Sequence, residues 1–254
     1  MVRVVKARYN QGFRTADYPR VTPAFPPRYR GAPLVDGTAC ADDCSACVEA
    51  CPTGAISRSS AGISLDLGRC LFCTACADAC PPGAGAIEWS EDHRMAVSDR
   101  SSLVIDSPEV ELARSLDKKL RRTLGRSLKL RQVSAGGCGA CEADVNVLGT
   151  VVYDLGRFGI QFVASPRHAD GLLITGCVTA SMKEPLLAAY EAIPDPKIVI
   201  AVGACAISGG PYIGHRQAND GAAGLVPVDL FVPGCPPHPW TILDGMLRLL
   251  GRIE

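Results

Sequence analysis

Residues 70–81, CLFCTACADACP, place four cysteines within eleven positions and follow the last of them with a proline. Residues 40–52, CADDCSACVEACP, repeat this arrangement about thirty residues earlier. In each copy a glycine and a short apolar segment come soon after the proline, as GAI at 54–56 and at 85–87. Glycine and proline at these places predict compact loops. The repeat therefore predicts two similar units, each with a cysteine loop followed by a strand.

The second copy has the spacing C-x2-C-x2-C-x3-C-P, which is the pattern of bacterial ferredoxins with two clusters. In that pattern the first three thiolates hold one [4Fe–4S] cluster, and the fourth holds the other cluster. We therefore predict two sets of ligands across the repeat. They are Cys70, Cys73, Cys76 with Cys51, and Cys40, Cys44, Cys47 with Cys80.

The first copy departs from the pattern because three residues separate Cys40 from Cys44. We expect the intervening loop to bulge so that Cys40 still reaches the iron, with Asp42 or Asp43 as the alternative oxygen ligand. Zinc is the competing interpretation of the whole stretch. Structural zinc sites usually pair two close ligands with a second pair beyond a longer spacer. Two tandem runs of four cysteines, each ending in Cys-Pro, therefore favour iron–sulfur clusters.

Composition narrows the class of protein. The chain has 254 residues, 47% of them hydrophobic, with a formal net charge of zero and thirteen cysteines. A general nucleic-acid binder would normally be basic, so we expect no nucleic-acid partner. The N-terminus does not resemble a signal peptide, no apolar run of about 18 residues predicts a transmembrane segment, and a twin-arginine signal is missing. Without export, many cysteines indicate metal binding more than disulfides.

Apolar segments alternate with helical ones after residue 128, which predicts a parallel sheet covered on both faces. The predicted strands are 128–133, 160–163, 172–175, 198–202 and 228–232, and the predicted helices are 141–155, 182–192 and 239–250. A further amphipathic helix is predicted over 107–126, capped by Ser107 and carrying a leucine at every fourth position from Leu112 to Leu124. We expect this helix to bridge two domains.

The remaining five cysteines follow predicted strands or begin the helix after one. They are Cys138, Cys141, Cys177, Cys205 and Cys235. Open α/β sheets place their sites at the carboxyl edge of the strands, so these thiols should converge there. Nearby glycines leave room for a bulky group, and the start of a helix after Cys141 favours thiolate. The edge thus offers five thiols, one more than a cluster needs.

Two resemblances to known families account for most of the chain. Residues 1–100, with the lead-in PPRYRG at 26–31, resemble the two-cluster ferredoxin subunits of formate hydrogenlyase and of respiratory complex I. Residues 128–251 resemble the small subunit of membrane-bound [NiFe] hydrogenases and the homologous 20-kDa subunit of complex I. The motifs that carry the second resemblance are CGACE at 138–142, SPRHAD at 165–170, GACAISGG at 203–210 and PGCPP at 233–237. The chain is similar to a fusion of subunits that are usually separate.

The resemblance implies a ferredoxin-like α+β domain of βαββαβ order, followed by an α/β flavodoxin-like domain with a parallel sheet. The expected divisions are an extended N-terminal arm over 1–36, a two-cluster ferredoxin-like domain over 37–100, a linker with the amphipathic helix over 101–127, and the hydrogenase small-subunit or 20-kDa-like domain over 128–254. No nucleotide-binding fingerprint is visible, and cysteines fill the binding edge of the second domain. We therefore expect no flavin and no nucleotide.

The resemblance also implies the third set of ligands, which comprises Cys138, Cys141, Cys205 and Cys235 around a proximal [4Fe–4S] cluster. The position of Cys177 is not a ligand in that family, and its side chain is interpreted as a small buried hydrophobe. Two residues separate Cys138 from Cys141, as in hydrogenases, whereas complex I subunits carry adjacent cysteines there. In hydrogenases a glutamate matching Glu142 is linked to proton movement. The alternative for Glu142 is a helix-start residue favoured by the dipole.

By this resemblance the chain is an electron-transfer subunit of a complex I-like, membrane-associated [NiFe] hydrogenase, an oxidoreductase whose catalytic centre lies on the partner large subunit. Further expected partners are membrane-arm subunits and an iron–sulfur protein or soluble ferredoxin as donor or acceptor. The expected location is peripheral, on the cytoplasmic face of the membrane. The alternatives are a quinone-reducing relative without nickel and a stand-alone ferredoxin-like carrier.

Two groups of charged residues each have a functional and a purely structural interpretation. Arg167 and His168 could tune a cluster through hydrogen bonds or charge, or they could be ordinary loop residues. The basic run over 118–122, continued by Arg126, Lys129 and Arg131, could face anionic lipid or an acidic partner, or it could be a solvated face.

Overall fold

The N-terminal part of the protein begins with a helix and continues with short strands around two single-turn helices. A computed structural model describes residues 2–36, 40, 44–59, 62–81 and 85–253. Its elements are α1 (Val2–Gln11), β1 (Pro33–Val35), α2 (Ala46–Ala50), β2 (Ile56–Ser59), β3 (Gly62–Asp66), α3 (Ala75–Ala79), β4 (Ile87–Trp89) and β5 (Val104–Ile105). From β1 to β4 the elements follow the order βαββαβ along the chain.

These strands form two small sheets. β1 pairs antiparallel with β4, with Pro33 opposite Trp89. β2 and β3 form a hairpin, and β5 pairs with the other side of β3. Alternate residues of β3, Ile63 and Leu65, point into the core, because successive side chains of a strand point to opposite faces. The predicted linker thus supplies the third strand of this sheet.

The expectation of an extended arm is wrong for its first part. Residues 2–11 form α1, whose sequence VRVVKARYNQ contains no glycine or proline. The helix ends where Arg8 donates a hydrogen bond from its guanidinium to the carbonyl of Gly12 (2.7 Å), a residue with a φ of +62°. No residue of α1 is buried.

The C-terminal part is a parallel sheet of five strands, as predicted. Its elements in chain order are α4 (Lys118–Leu124), β6 (Leu128–Ser134), α5 (Ala140–Val147), β7 (Ile160–Phe162), β8 (Gly171–Thr175), α6 (Ala180–Glu191), β9 (Ile198–Val202), α7 (Ala204–Ser208), β10 (Leu230–Val232) and α8 (Pro239–Leu249). The strand order is β10-β9-β8-β6-β7, which is the flavodoxin-like 2-1-3-4-5 arrangement. All residues of β8 and β9 are buried, because both faces of the sheet are covered.

The predicted helix over 107–126 is wrong in its extent, because α4 covers only Lys118–Leu124. Asp117, not Ser107, caps it by accepting hydrogen bonds from the N–H groups of Lys119 and Leu120 (2.8 and 2.9 Å). The segment before it bonds to other parts of the chain instead. Ala113 donates its N–H to Ala96, and Leu116 donates its N–H to Leu249. These tertiary hydrogen bonds replace the helical ones that the leucine spacing predicted.

The two halves share a packed junction. Val97 pairs antiparallel with Phe231 of the edge strand β10, through two backbone hydrogen bonds of 2.9 and 3.0 Å. Nearby, the Ser208 hydroxyl donates to the carbonyl of Gly68 (2.8 Å). Residues of the C-terminal half, Phe231 among them, lie in the same buried cluster as the core of the N-terminal sheets. The core of the half that carries the cysteine repeats is therefore continuous with that of the parallel-sheet half.

Candidate iron–sulfur centres

The helices α2 and α3 position the two cysteine repeats in the same way. Each is a single turn, and each buries one residue, Cys47 in α2 and Cys76 in α3. The cysteine that ends each run, Cys51 or Cys80, takes an extended backbone directly after the helix. The similarity of the two copies in sequence is thus a similarity in structure.

The first set of thiols lies around α2. The thiol of Cys40 interacts electrostatically with those of Cys44 and Cys80, and the thiol of Cys47 with those of Cys40 and Cys44. Burial raises the pKa of Cys40, although the Arg58 guanidinium opposes this. Arg58 also donates a hydrogen bond to the carbonyl of Cys44. The structure therefore brings together the four cysteines predicted for one cluster. Asp42 and Asp43, the alternative ligands, lie outside the described residues.

The second set lines one small cavity. Cys51, Cys70, Cys73 and Cys76 all face it, and its other walls are mainly apolar. Burial raises the pKa of Cys70 to about 12 and that of Cys76 to about 11, and neighbouring thiols of the set add to both shifts.

Backbone donors already serve two of these sulfur atoms. The N–H of Ala55 donates to Cys51 Sγ (3.2 Å), and the N–H of Phe72 donates to Cys70 Sγ (3.3 Å). On either side of Cys73, Phe72 and Thr74 have φ angles of +54° and +67°, which are uncommon for residues other than glycine. The loop thus has an unusual backbone conformation on both sides of Cys73.

One further polar group at this cavity has no partner. Trp89 lines the cavity, and its indole Nε1 is buried without a hydrogen-bond partner among the described residues. A buried donor of this kind normally finds an acceptor in a native protein. Four thiols, N–H donors to sulfur and an unmatched N–H fit a sulfur-rich group bound in this cavity.

The third set follows strands β6, β9 and β10 at the carboxyl edge of the parallel sheet. The thiol of Cys141 interacts electrostatically with those of Cys205, Cys235 and Cys138, and burial raises its pKa. Burial raises the pKa of Cys205 to about 12, and Cys235 and Cys138 contribute to the increase. Residues distant in sequence thus meet at one place.

Gly203, between β9 and α7, makes this close approach feasible. Its φ is +91°, and a Cβ atom built there would lie 2.5 Å from the Sγ of Cys141. A side chain at this position would therefore collide with a thiol of the third set.

Raised thiol pKa values mean that these buried groups would carry protons at neutral pH in a protein without metal. A coordinated metal ion removes that proton outright, because its positive charge stabilises the thiolate. The buried thiols therefore suit a site in which iron provides the compensating charge. Among the described residues, no group of three His, Cys, Asp or Glu side chains is placed to bind a single metal ion.

The fifth cysteine of the edge, Cys177, is buried at 2% exposure. Its Sγ donates to the carbonyl of Gly136 (3.5 Å), and its thiol interacts electrostatically with that of Cys205. It therefore lies beside the third set.

Glu142 is held by two hydroxyl groups that the sequence did not indicate. Ser134 and Thr175 donate hydrogen bonds to its Oε1 (2.5 and 2.7 Å). Burial alone would raise the pKa of Glu142, but these hydrogen bonds and its own backbone N–H lower it overall. Ser134 and Thr175 face each other in the register of β6 and β8. The signal that could have indicated them is a hydroxyl side chain at the last position of each of two strands.

The second and third sets adjoin each other at the junction of the two halves. The thiol of Cys235 interacts electrostatically with that of Cys73 as well as with that of Cys138. Both Cys73 and Cys235 are exposed in the chain alone. Beside them, Arg30 of the lead-in segment donates to the carbonyl of Phe72 (3.4 Å). The lead-in segment therefore packs against the same junction.

Other candidates lie at the surface. The side chains of Arg167 and His168 are exposed, in a short 3-10 turn over Pro166–His168.

None of the helices within the described ranges has the length and apolar character that crossing a bilayer requires.

Two families match the chain. Residues 138–249 match the family described as "NADH ubiquinone oxidoreductase, 20 Kd subunit", and residues 39–84 match the "4Fe-4S dicluster domain". The second match spans both cysteine repeats and indicates iron–sulfur clusters there. Both matches agree with the resemblance predicted from the motifs.

Three relatives illustrate the similarity. The chain is 41% identical over 152 residues to formate hydrogenlyase subunit 7 of Escherichia coli, covering 60% of this chain and 58% of that protein. It is 43% identical over 135 residues to "Probable membrane-bound hydrogenase subunit mbhJ" of Pyrococcus furiosus, covering 53% of this chain and 81% of that protein. It is 42% identical over 119 residues to an NADH-quinone oxidoreductase subunit of Carboxydothermus hydrogenoformans, covering 46% of this chain and 72% of that protein. The chain thus spans little more than half the length of the formate hydrogenlyase subunit.

Proposed function

Because this chain belongs to the family of the 20-kDa subunit of NADH ubiquinone oxidoreductase, and carries a dicluster domain ahead of it, we propose that it is the electron-transfer subunit of a complex I-like, membrane-associated [NiFe] hydrogenase of the formate hydrogenlyase type. The observation that carries the proposal is the packed junction of the two halves, which brings the second and third sets of thiols close enough for Cys73 to raise the pKa of Cys235. It supports a continuous route from the dicluster half to the edge of the parallel sheet.

The proposed cofactors are three [4Fe–4S] clusters, one for each set of thiols. The ligands would be Cys40, Cys44, Cys47 and Cys80; Cys51, Cys70, Cys73 and Cys76; and Cys138, Cys141, Cys205 and Cys235. Each cluster, when bound, accepts and releases one electron at a potential that its surroundings set. Most of the electrostatic interactions among the thiols fall within these three groups, which supports this assignment. The interaction of Cys235 with Cys73 links the second set to the third, and that of Cys205 with Cys177 involves the spare thiol. Cys177 would not be a ligand.

The N-terminal half would have a ferredoxin-like fold, supported by its βαββαβ order and by the match to the dicluster family. This half would exchange electrons with a donor or acceptor, either another iron–sulfur protein or a soluble ferredoxin. The packed junction at Val97 and Phe231 holds the two halves in a fixed relation, which a relay over a short distance requires.

The third set would face a [NiFe] hydrogenase-type large subunit. Cys138 and Cys235 are exposed in the chain alone, which supports a partner covering this edge. Glu142, fixed by Ser134 and Thr175, would carry protons between this edge and the partner. In the assembled complex, Glu142→Gln would lower hydrogen turnover while iron content and the potential of the third cluster stay unchanged. Loss of iron in that variant would show a structural role instead.

The proposed location is peripheral, at the cytoplasmic face of a membrane, beside the membrane-arm subunits of the assembly. Helix α1 supports a contact with anionic lipid. Val2, Val5 and Tyr9 recur on one face of α1 and are 65–87% exposed. Residues 2–16 include four basic residues and no acidic one. A basic amphipathic helix with an unpartnered apolar face is the type that lies in the interface of a bilayer.

A quinone-reducing protein without nickel is the second candidate, favoured by the identity with the NADH-quinone oxidoreductase subunit of Carboxydothermus hydrogenoformans. Purification of the chain with its partners under anaerobic conditions distinguishes the two. We expect iron and sulfide for three clusters, three reducible EPR signals, and nickel in a co-purified large subunit. Nickel-free complexes with quinone reductase activity would favour the second candidate. Zinc in place of iron, or a chain that purifies alone, would overturn the proposal.

A further inference from the structure

The unpartnered indole of Trp89 has an unusual position. Trp89 ends β4, and its ring lies 5.3 Å from the ring of Phe72 between centroids, at an angle of 52°. This aromatic contact fixes the indole against the loop that carries Cys70 and Cys73. The indole nitrogen can only donate a hydrogen bond, and leaving it buried without an acceptor is unfavourable.

The cavity beside Trp89 is lined by four thiols and by Thr53 and Thr74, whose hydroxyls donate to the carbonyl of Arg69 and the carboxylate of Asp78. Its polar lining includes the thiols of Cys51, Cys70, Cys73 and Cys76, and Trp89 closes the same cavity. Backbone N–H groups already donate to the sulfur atoms of Cys51 and Cys70. A sulfur-rich group bound between the thiols would provide the acceptor that Nε1 lacks.

We propose that the indole N–H of Trp89 donates a hydrogen bond to a sulfur atom of the cluster assigned to Cys51, Cys70, Cys73 and Cys76, and that it raises the reduction potential of that cluster. The inference rests on the proposed function, which assigns a cluster to this set. Reduction adds one negative charge to the cluster, and a hydrogen-bond donor stabilises the more negative state more strongly. Trp89 thus adjusts the reduction potential of the second cluster, which is the cluster next to the third set.

The test is a redox titration of the full chain with its clusters loaded, followed by EPR. Trp89→Phe removes the N–H. Replacement of Trp89 by benzothienylalanine, in which sulfur replaces the N–H, keeps the size of the ring system. Loss of one neutral hydrogen bond corresponds to an about three- to tenfold change in the reduction equilibrium. We therefore expect the potential of this cluster to fall by about 30–60 mV in both variants, since tenfold equals 59 mV for one electron.

A second readout separates the hydrogen bond from packing. In the wild-type chain, pulsed EPR should detect exchangeable protons coupled to this cluster, from the indole N–H and from the backbone N–H groups of Ala55 and Phe72, and their signals should disappear after transfer to D2O. Both Trp89 variants should lack the indole coupling and keep the backbone couplings. Phe72→Leu, which removes the ring neighbour but leaves the indole N–H, should retain the indole coupling.

The outcomes are distinct. Unchanged potential and unchanged proton coupling in the benzothienylalanine variant would overturn this inference while leaving the three clusters in place. A wild-type chain without a cluster on this set would overturn both the inference and the proposed function. If Trp89→Phe fails to hold its cluster, the benzothienylalanine variant still shows whether the indole N–H changes the potential.

Discussion

Replacement of Gly203 by alanine tests whether the third set of thiols is a cluster site. Gly203 has φ +91° and ψ 155°, a region of the backbone that only glycine adopts readily. An alanine there costs about 1–3 kcal/mol in backbone strain. In addition, its Cβ would lie 2.5 Å from the Sγ of Cys141, so the thiol or the backbone must move. We expect Gly203→Ala to lose the third cluster and to retain the other two.

Gly214→Ala is the matched control. Gly214 also has a positive φ, +72°, but nothing lies within 4 Å of the position of its added Cβ. Both variants should therefore lose unfolding free energy through backbone strain, about 1–3 kcal/mol for Gly203→Ala and about 1–2 kcal/mol for Gly214→Ala, measured by denaturant titration. Only Gly203→Ala should lose about a third of the iron and sulfide per chain, with the EPR signal of the third cluster. A full complement of iron and an unchanged spectrum in Gly203→Ala would refute the assignment of Cys141 to this site.

Three further outcomes are expected. Cys177→Ser should keep all three clusters, whereas Cys205→Ser should lose one; equal iron content in the two variants, measured by metal analysis, would contradict the assignment. Burial and, to a lesser extent, the charge of His93 lower the pKa of His238 to about 4, so the unfolded chain binds a proton below pH 6.5 that the folded chain excludes. Unfolding free energy should thus fall as pH decreases from 6.5 toward 4, and His238→Asn, which can still cap α8, should flatten that dependence. Replacing Arg3 and Lys6 with glutamine should weaken binding to vesicles of anionic lipid about 30-fold in flotation assays, at about 1 kcal/mol per cation, and unchanged binding would count against α1 as the lipid contact.

The similarity of the two cysteine repeats could be predicted from the sequence because their spacing is a local pattern, whereas the assignment of ligands to clusters stays a prediction. The spacing within each run, together with the rule for two-cluster ferredoxins, assigned each thiol of the repeats to a set. The parallel sheet was also predictable, because buried strands such as 198–202 are continuous apolar runs bounded by glycine.

Features that depend on distant partners could not be predicted in the same way. The leucines before residue 118 have helical spacing, yet Ala113 and Leu116 bond to Ala96 and Leu249, so tertiary contacts override the local pattern. Ser134 and Thr175 reach Glu142 only because β6 and β8 are neighbours in register. The proximity of Cys73 to Cys235 depends on how the two halves pack, which no local spacing encodes.

The pairing of Val97 with Phe231 has a consequence for solubility. β10 is the outermost strand of the parallel sheet, and an open strand edge is a template for association with other chains. Here an upstream segment of the same polypeptide occupies part of that edge with two backbone hydrogen bonds. A fragment that begins after residue 98 would expose the backbone N–H and carbonyl of Phe231 at this edge. We expect such a fragment to self-associate through β10 more readily than the intact chain.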